Sequence, residues 1–229
     1  MQKERGLSAG ALSAKNGSYQ LQLTKQRKAT NSAYTQVAPI FNSPPRYLNQ
    51  KTSINFQQIA NKFEQLKFVR KEVDDFNNDK FFYFYSMLIS ELLQQINVLH
   101  AMVPNQEIND LVSSLIYALG LEEYAAVERG LLHGAFNAKD SSNGHPESII
   151  ELNVINHIAR QQAELSRYYN VASAKYAGLM LKVMNNEKTK EFHQYRESTI
   201  EVIEQRNILD TIISAFGYGG LIHDYKNYI

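Results

Sequence analysis

The 229-residue chain contains no cysteine and no tryptophan. Without cysteine it can form neither disulfides nor thiolate metal sites, and its composition suits either side of a membrane. Proline occurs 5 times and glycine 11 times, so turn signals are scarce, and strand-like alternation is hard to find. An excess of one charge is also missing. Lys and Arg number 24 against 23 Asp and Glu, for a formal net charge of +1, which argues against nucleic acid as a partner. No apolar run reaches the roughly 18 residues of a transmembrane helix, and no signal peptide is evident. Met1 stands directly before a motif with no room for a first turn or cap, and Ile229 ends an apolar pattern without a stop signal. Flanking segments are therefore expected beyond both ends. The 6 histidines show no metal-ligand spacing, and neither a nucleophile elbow nor a phosphate-binding glycine loop is present. Catalysis is not expected, and no cofactor or metal is implied.

What remains is an ordinary globular composition, 44% apolar and 21% charged, with one unusual feature. The stretch Glu4 to Lys15, ERGLSAGALSAK, returns at Glu128 to Lys139 as ERGLLHGAFNAK, an offset of 124 positions with 8 of 12 residues identical. That period is too long for a solenoid unit and suggests two related halves, each carrying the same helix. Gly6 and Gly10 share a helix face, as do Gly130 and Gly134. A helical glycine costs about 1 kcal/mol relative to alanine, so a structural return is expected. Close approach of the two motif helices at their glycines would supply it, and would bring Arg5 and Arg129 together. Two guanidiniums at close range repel unless an anion or carboxylate lies between them. The alternative is that each arginine pairs with a surface Glu or Asp.

Apolar spacing predicts helices almost throughout. The first runs from Met1 to Ala14. A second, capped by Ser18, carries Leu21, Thr30 and Tyr34 and stops before Pro39, followed by a mobile loop over residues 39–51. Ser53 caps a third with the stripe Phe56, Ile59, Phe63, Leu66 and Val73, broken at Asn77, Asn78 and Asp79. A fourth carries Tyr85, Leu88, Ile89 and Leu92 and ends before Pro104. The second half reads as a long helix from Glu107 to Ala138, a turn from Asp140 to His145, a helix continuing to Met184 with a break at Gly178, and a last helix from Glu187 to Phe216. The predicted fold is all-α: two antiparallel four-helix-type bundles related by the internal repeat, over residues 1–104 and 105–216, with 217–229 as a connector.

Four blocks in order, MQKERGLSAGALSAKNG, LTKQRKATNSAY, FEQLKFVRKEVDDFNNDKFFYFYSMLISELLQQI and ALGLEEYAAVERGLLHGAF, resemble the nitrate- and nitrite-sensing (NIT) domain of bacterial receptors. The resemblance covers Gln2 to about Phe216. It implies an all-helical, extracytoplasmic input domain (a cytoplasmic one is the alternative) that acts as a homodimer and signals to an output module in the same chain. It also implies a nitrate or nitrite site lined by arginines between two bundles. Arg5 carries over from the first motif and Arg129 from the second. The family's remaining basic position near the C-terminus matches either Arg196 or Arg206, with Arg196 preferred. Arg70, in LKFVRKEV, reads as one side of a structural ion pair. The chemistry is compatible: nitrate is planar and weakly hydrated, and a guanidinium offers it paired donors that lysine lacks.

The tail GYGGLIHDYKNYI admits a second reading. His223-Asp224-Tyr225-Lys226-Asn227 superficially matches the surroundings of a histidine-kinase phosphoacceptor. Such a histidine lies within a long helix, whereas Gly217, Gly219 and Gly220 stand just upstream here.

Overall fold

A computed structural model describes residues 1–14, 17–76, 80–137 and 147–216, with side chains placed except at 13, 132–137, 147–152, 199, 202–204 and 206–216. Eight helices account for nearly all of these residues, and no strand occurs among them. The all-α expectation holds. They are α1 (Gln2–Ala14), α2 (Gln20–Asn42), α3 (Gln50–Asp74), α4 (Phe81–His100), α5 (Gln106–Asn137), α6 (Glu147–Val171), α7 (Ala174–Met184) and α8 (Glu187–Phe216).

The first four helices enclose one core, with α1 against α2, α3 and α4, α2 against α3, and α3 against α4. The stripe read from the α3 sequence faces inward: Phe56, Ile59, Leu66 and Val73 are buried and meet Tyr85, Leu88 and Phe81 of α4. Aromatic rings fill the gap to α2. Tyr34 stacks on Phe63 at 4.0 Å, and Phe41 meets Phe56 edge-on at 5.2 Å. Each such side chain removed from water contributes about 1.5–3 kcal/mol. α5 lies along α6, α8 meets α6 and α7, and α5 joins the first half through α1 and α4. The duplication shows in the sequence and in the ion pairs described below.

Several boundaries differ from expectation, each for a local reason. α2 passes through Pro39 and ends at Asn42. The hydrogen bond that proline removes would have gone to the carbonyl of Thr35, which lies on the exposed face where water can serve it. Phe41, beyond the proline, is held in the core. The inward leucine of α2 is Leu23, while Leu21 is 83% exposed. The connection after α2 is correspondingly short, residues 43–49, and is anchored by buried Leu48. Tyr19, not Ser18, takes the cap position of α2, and Asn49, not Ser53, caps α3 by accepting the Thr52 N–H at 2.9 Å. The chain breaks at 172–173, ahead of Gly178, which lies within α7. Ser173 adopts an extended ψ of 158° there. The connector 217–229 with His223, the turn Asp140–His145 and the break at Asn77–Asp79 lie outside the described residues, and so does the side chain of Arg206.

Candidate functional site

Each motif begins with a glutamate that the fold removes from water. Glu4 is completely buried. It accepts hydrogen bonds from Arg70 Nε at 2.7 Å and Nη2 at 3.0 Å, and from the Tyr85 hydroxyl at 2.7 Å. Arg70 also donates to Asn31 Oδ1 at 2.7 Å. Burial favours the protonated acid, but the donors, Arg70 foremost, outweigh it and hold the Glu4 carboxyl below the usual range. Burial and the Glu4 charge together push the Tyr85 phenol well above its ordinary value. Glu128 is likewise completely buried. Arg196 grips it through Nε and, at 2.7 Å, Nη2, and Gln161 Nε2 donates at 2.6 Å. The arginine lies 66 residues after the glutamate in the first case and 68 in the second. Arg70 is thus the structural ion-pair residue expected from sequence. Arg196 has a corresponding place in the second half, with His193 Nδ1 3.2 Å from its Nη1 and the Phe192 ring 5.1 Å below.

The arginines of the two motifs meet elsewhere. Arg5 on α1 and Arg129 on α5 both line a cavity of about 550 Å³. From α1 come Gln2, Lys3, Gly6, Leu7, Ala9 and Gly10, and from α5 Glu122, Ala126 and Gly130. The α5 residues, Arg129 included, fall at intervals of four, three and one, which place them on one helix face. Phe82 and Tyr19 close the sides. The common cleft expected for Arg5 and Arg129 is present. Arg196 is not among its lining residues.

The glycines work differently from expectation. A Cβ at Gly10 would stand 2.7 Å from the Tyr19 ring, and one at Gly130 would stand 2.9 Å from the Phe82 ring. Nothing lies within 4 Å of the corresponding point at Gly6. The return on these helical glycines is room for an aromatic ring at Gly10 and Gly130 and open cavity at Gly6, not contact between two glycine faces. Gly134 falls among the residues whose side chains are not described.

Arg5 is only 1% exposed. A buried guanidinium is costly unless its charge is met, and the carboxylate that meets it is Glu123. Nη1 and Nη2 donate to the two oxygens of Glu123 at 2.6 and 3.2 Å, Nη1 also donates to Ser86 Oγ at 2.7 Å, and the Phe82 ring centroid lies 4.8 Å from Cζ. Gln2 Nε2 donates to Glu123 at 3.0 Å. Arg129, by contrast, is exposed and makes no ion pair among the described residues. Sequence reasoning did not single out Glu123, although its position seven residues before Gly130 puts it near the cavity face of α5.

An all-α domain with a cavity lined by Lys3, Arg5 and Arg129 from two helices is the class of protein that these observations define. Comparison with known families makes it specific: the chain belongs to the nitrate and nitrite sensing (NIT) family, whose model matches residues 1–216. It is a sensory domain of signal transduction. Compared with curated proteins and with solved structures, the chain finds no match in either.

Proposed function

We propose that the chain binds nitrate or nitrite in the cavity between α1 and α5, with Arg5 and Arg129 as the anion-binding residues. The observation that carries this reading is that the same motif position, reached twice in the sequence, supplies an arginine to one cavity from two different helices. Nitrate is a planar monoanion whose oxygens match the paired donors of a guanidinium, and the volume admits a small anion with its waters. Arg196 serves this site indirectly, by fixing Glu128 next to Arg129 in the chain. The domain is the extracytoplasmic input part of a membrane-anchored, homodimeric receptor that relays occupancy to a C-terminal output module.

The test is thermal denaturation with added anions. A ligand at a hundredfold excess over Kd stabilises the folded state by about 2.7 kcal/mol. Nitrate and nitrite raise Tm saturably. Chloride does much less at equal ionic strength, and sulfate, tetrahedral and strongly hydrated, does not surpass nitrate. Arg5→Lys and Arg129→Lys keep the charge and lose the fork, so each removes most of the nitrate shift. Equal shifts from all the anions, retained in both variants, would overturn the reading.

A further inference from the structure

Arg5 does not present an open fork to the cavity. Both of its Nη atoms are turned to Glu123, which also accepts from Gln2. Gln2 and Arg5 belong to α1 and Glu123 to α5, so this cluster ties together the two walls of the cavity. Glu123 also differs from the other two buried glutamates of the motif region. The side chains of Glu4 and Glu128 are 0% exposed, each enclosed by an arginine and a neutral donor, whereas that of Glu123 is 12% exposed. It has access to water, to which it can return. A carboxylate and a nitrate offer a guanidinium the same thing, two coplanar oxygens sharing one negative charge.

We propose that Glu123 is a built-in competitor of the anion. It holds the fork of Arg5, and nitrate or nitrite takes its place there, so that binding exchanges the α1–α5 ion pair for an anion held by Arg5 from one helix and Arg129 from the other. The inference rests on the cavity being the anion site. Glu123 then sets the concentration at which the domain responds, because every binding event must first outcompete it. It also makes binding and the α1–α5 contact a single event, since the group displaced is the one that joins the helices.

Glu123→Gln keeps the shape of the side chain and removes the charge. Calorimetric titration with nitrate compares it with the wild type, beside melting curves without ligand. The competitor role predicts a lower unliganded Tm together with a nitrate Kd that falls roughly tenfold or more, since one charged partner of a bidentate pair has gone. A merely structural role predicts the lower Tm with affinity unchanged or weakened, and that result would overturn the proposal while leaving the anion site standing. Absence of nitrate binding in both proteins would overturn the site itself. If Glu123→Gln folds only with nitrate present, the anion is replacing the lost charge and the proposal is supported. If it folds under neither condition, Glu123→Asp withdraws the carboxylate by one methylene. Tighter nitrate binding there supports the proposal, and unchanged or weaker binding overturns it.

Discussion

Glu4 and Glu128 hold the same place in the two copies of the motif, and both are completely buried against an arginine from further along the chain. Arg5 and Arg129 also hold the same place, yet Arg5 is 1% exposed and paired while Arg129 faces solvent. The difference lies in what α5 offers. Glu123 is five positions ahead of Glu128 on the same helix and reaches across to Arg5, so a carboxylate from the second half serves the arginine of the first. A repeated sequence thus gives a repeated structural element where its partner is repeated, as for the glutamates. It gives two different environments where, among the described residues, only one copy finds an ion-pair partner.

The largest expected effects come from the glutamates. Glu4→Ala leaves the half-buried Arg70 and Glu128→Ala the buried Arg196 without a counterion, at a cost of about 3–5 kcal/mol each. Urea denaturation of both variants checks whether the two halves depend on this element alike; a loss in only one would break the equivalence. The arginines should separate instead. Arg5→Ala costs about 3 kcal/mol, since Glu123 loses its partner but keeps some contact with water. Arg129→Ala, on the surface, stays within about 0.5 kcal/mol of the wild type. Equal Tm losses would show that the two positions are not as different as their burial indicates.

Among the glycines, Gly10→Ala and Gly130→Ala force a ring to move and cost about 1–3 kcal/mol each. Gly6→Ala meets open space and gains up to about 1 kcal/mol in helix propensity. Opposite signs of ΔTm would sharpen the assignment of different roles to one motif. The smallest effect is the acid limb of stability. Glu4 is depressed in the folded state, so its contribution is present above the unfolded carboxylate value near pH 4.3 and is lost as pH falls through the folded value. In Glu4→Gln that part of the pH dependence disappears, and a stability profile from pH 6 down to pH 2 measures it.

The helices were legible because their inward faces follow 3.6-residue spacing, as in Phe56, Ile59 and Leu66. The choice of Leu23 over Leu21 was not, since two leucines two positions apart cannot share one face and only the neighbouring helices select between them. Pro39 misled because a proline in a last turn costs little where the freed carbonyl reaches water. The motif arginines could be named as a pair from the repeat alone. Their counterions could not: Arg5 meets Glu123 across 118 positions and Arg196 meets Glu128 across 68, and no local pattern records such distances. The motif glycines were legible as positions that need space, but not as seats for Tyr19 and Phe82.

Glu123 and Glu128 lie five residues apart on α5, about 7.5 Å along its axis and about 140° around it. One therefore engages α1 on one side of the helix, and the other engages Gln161 of α6 and Arg196 of α8 on another. α5 is a single uninterrupted rod of 32 residues clamped at adjacent points by opposite halves of the molecule. Such a rod cannot be released at one clamp without changing the load on the next. Loosening at Arg5 would reach the Glu128–Arg196 pair through less than two turns of the same helix.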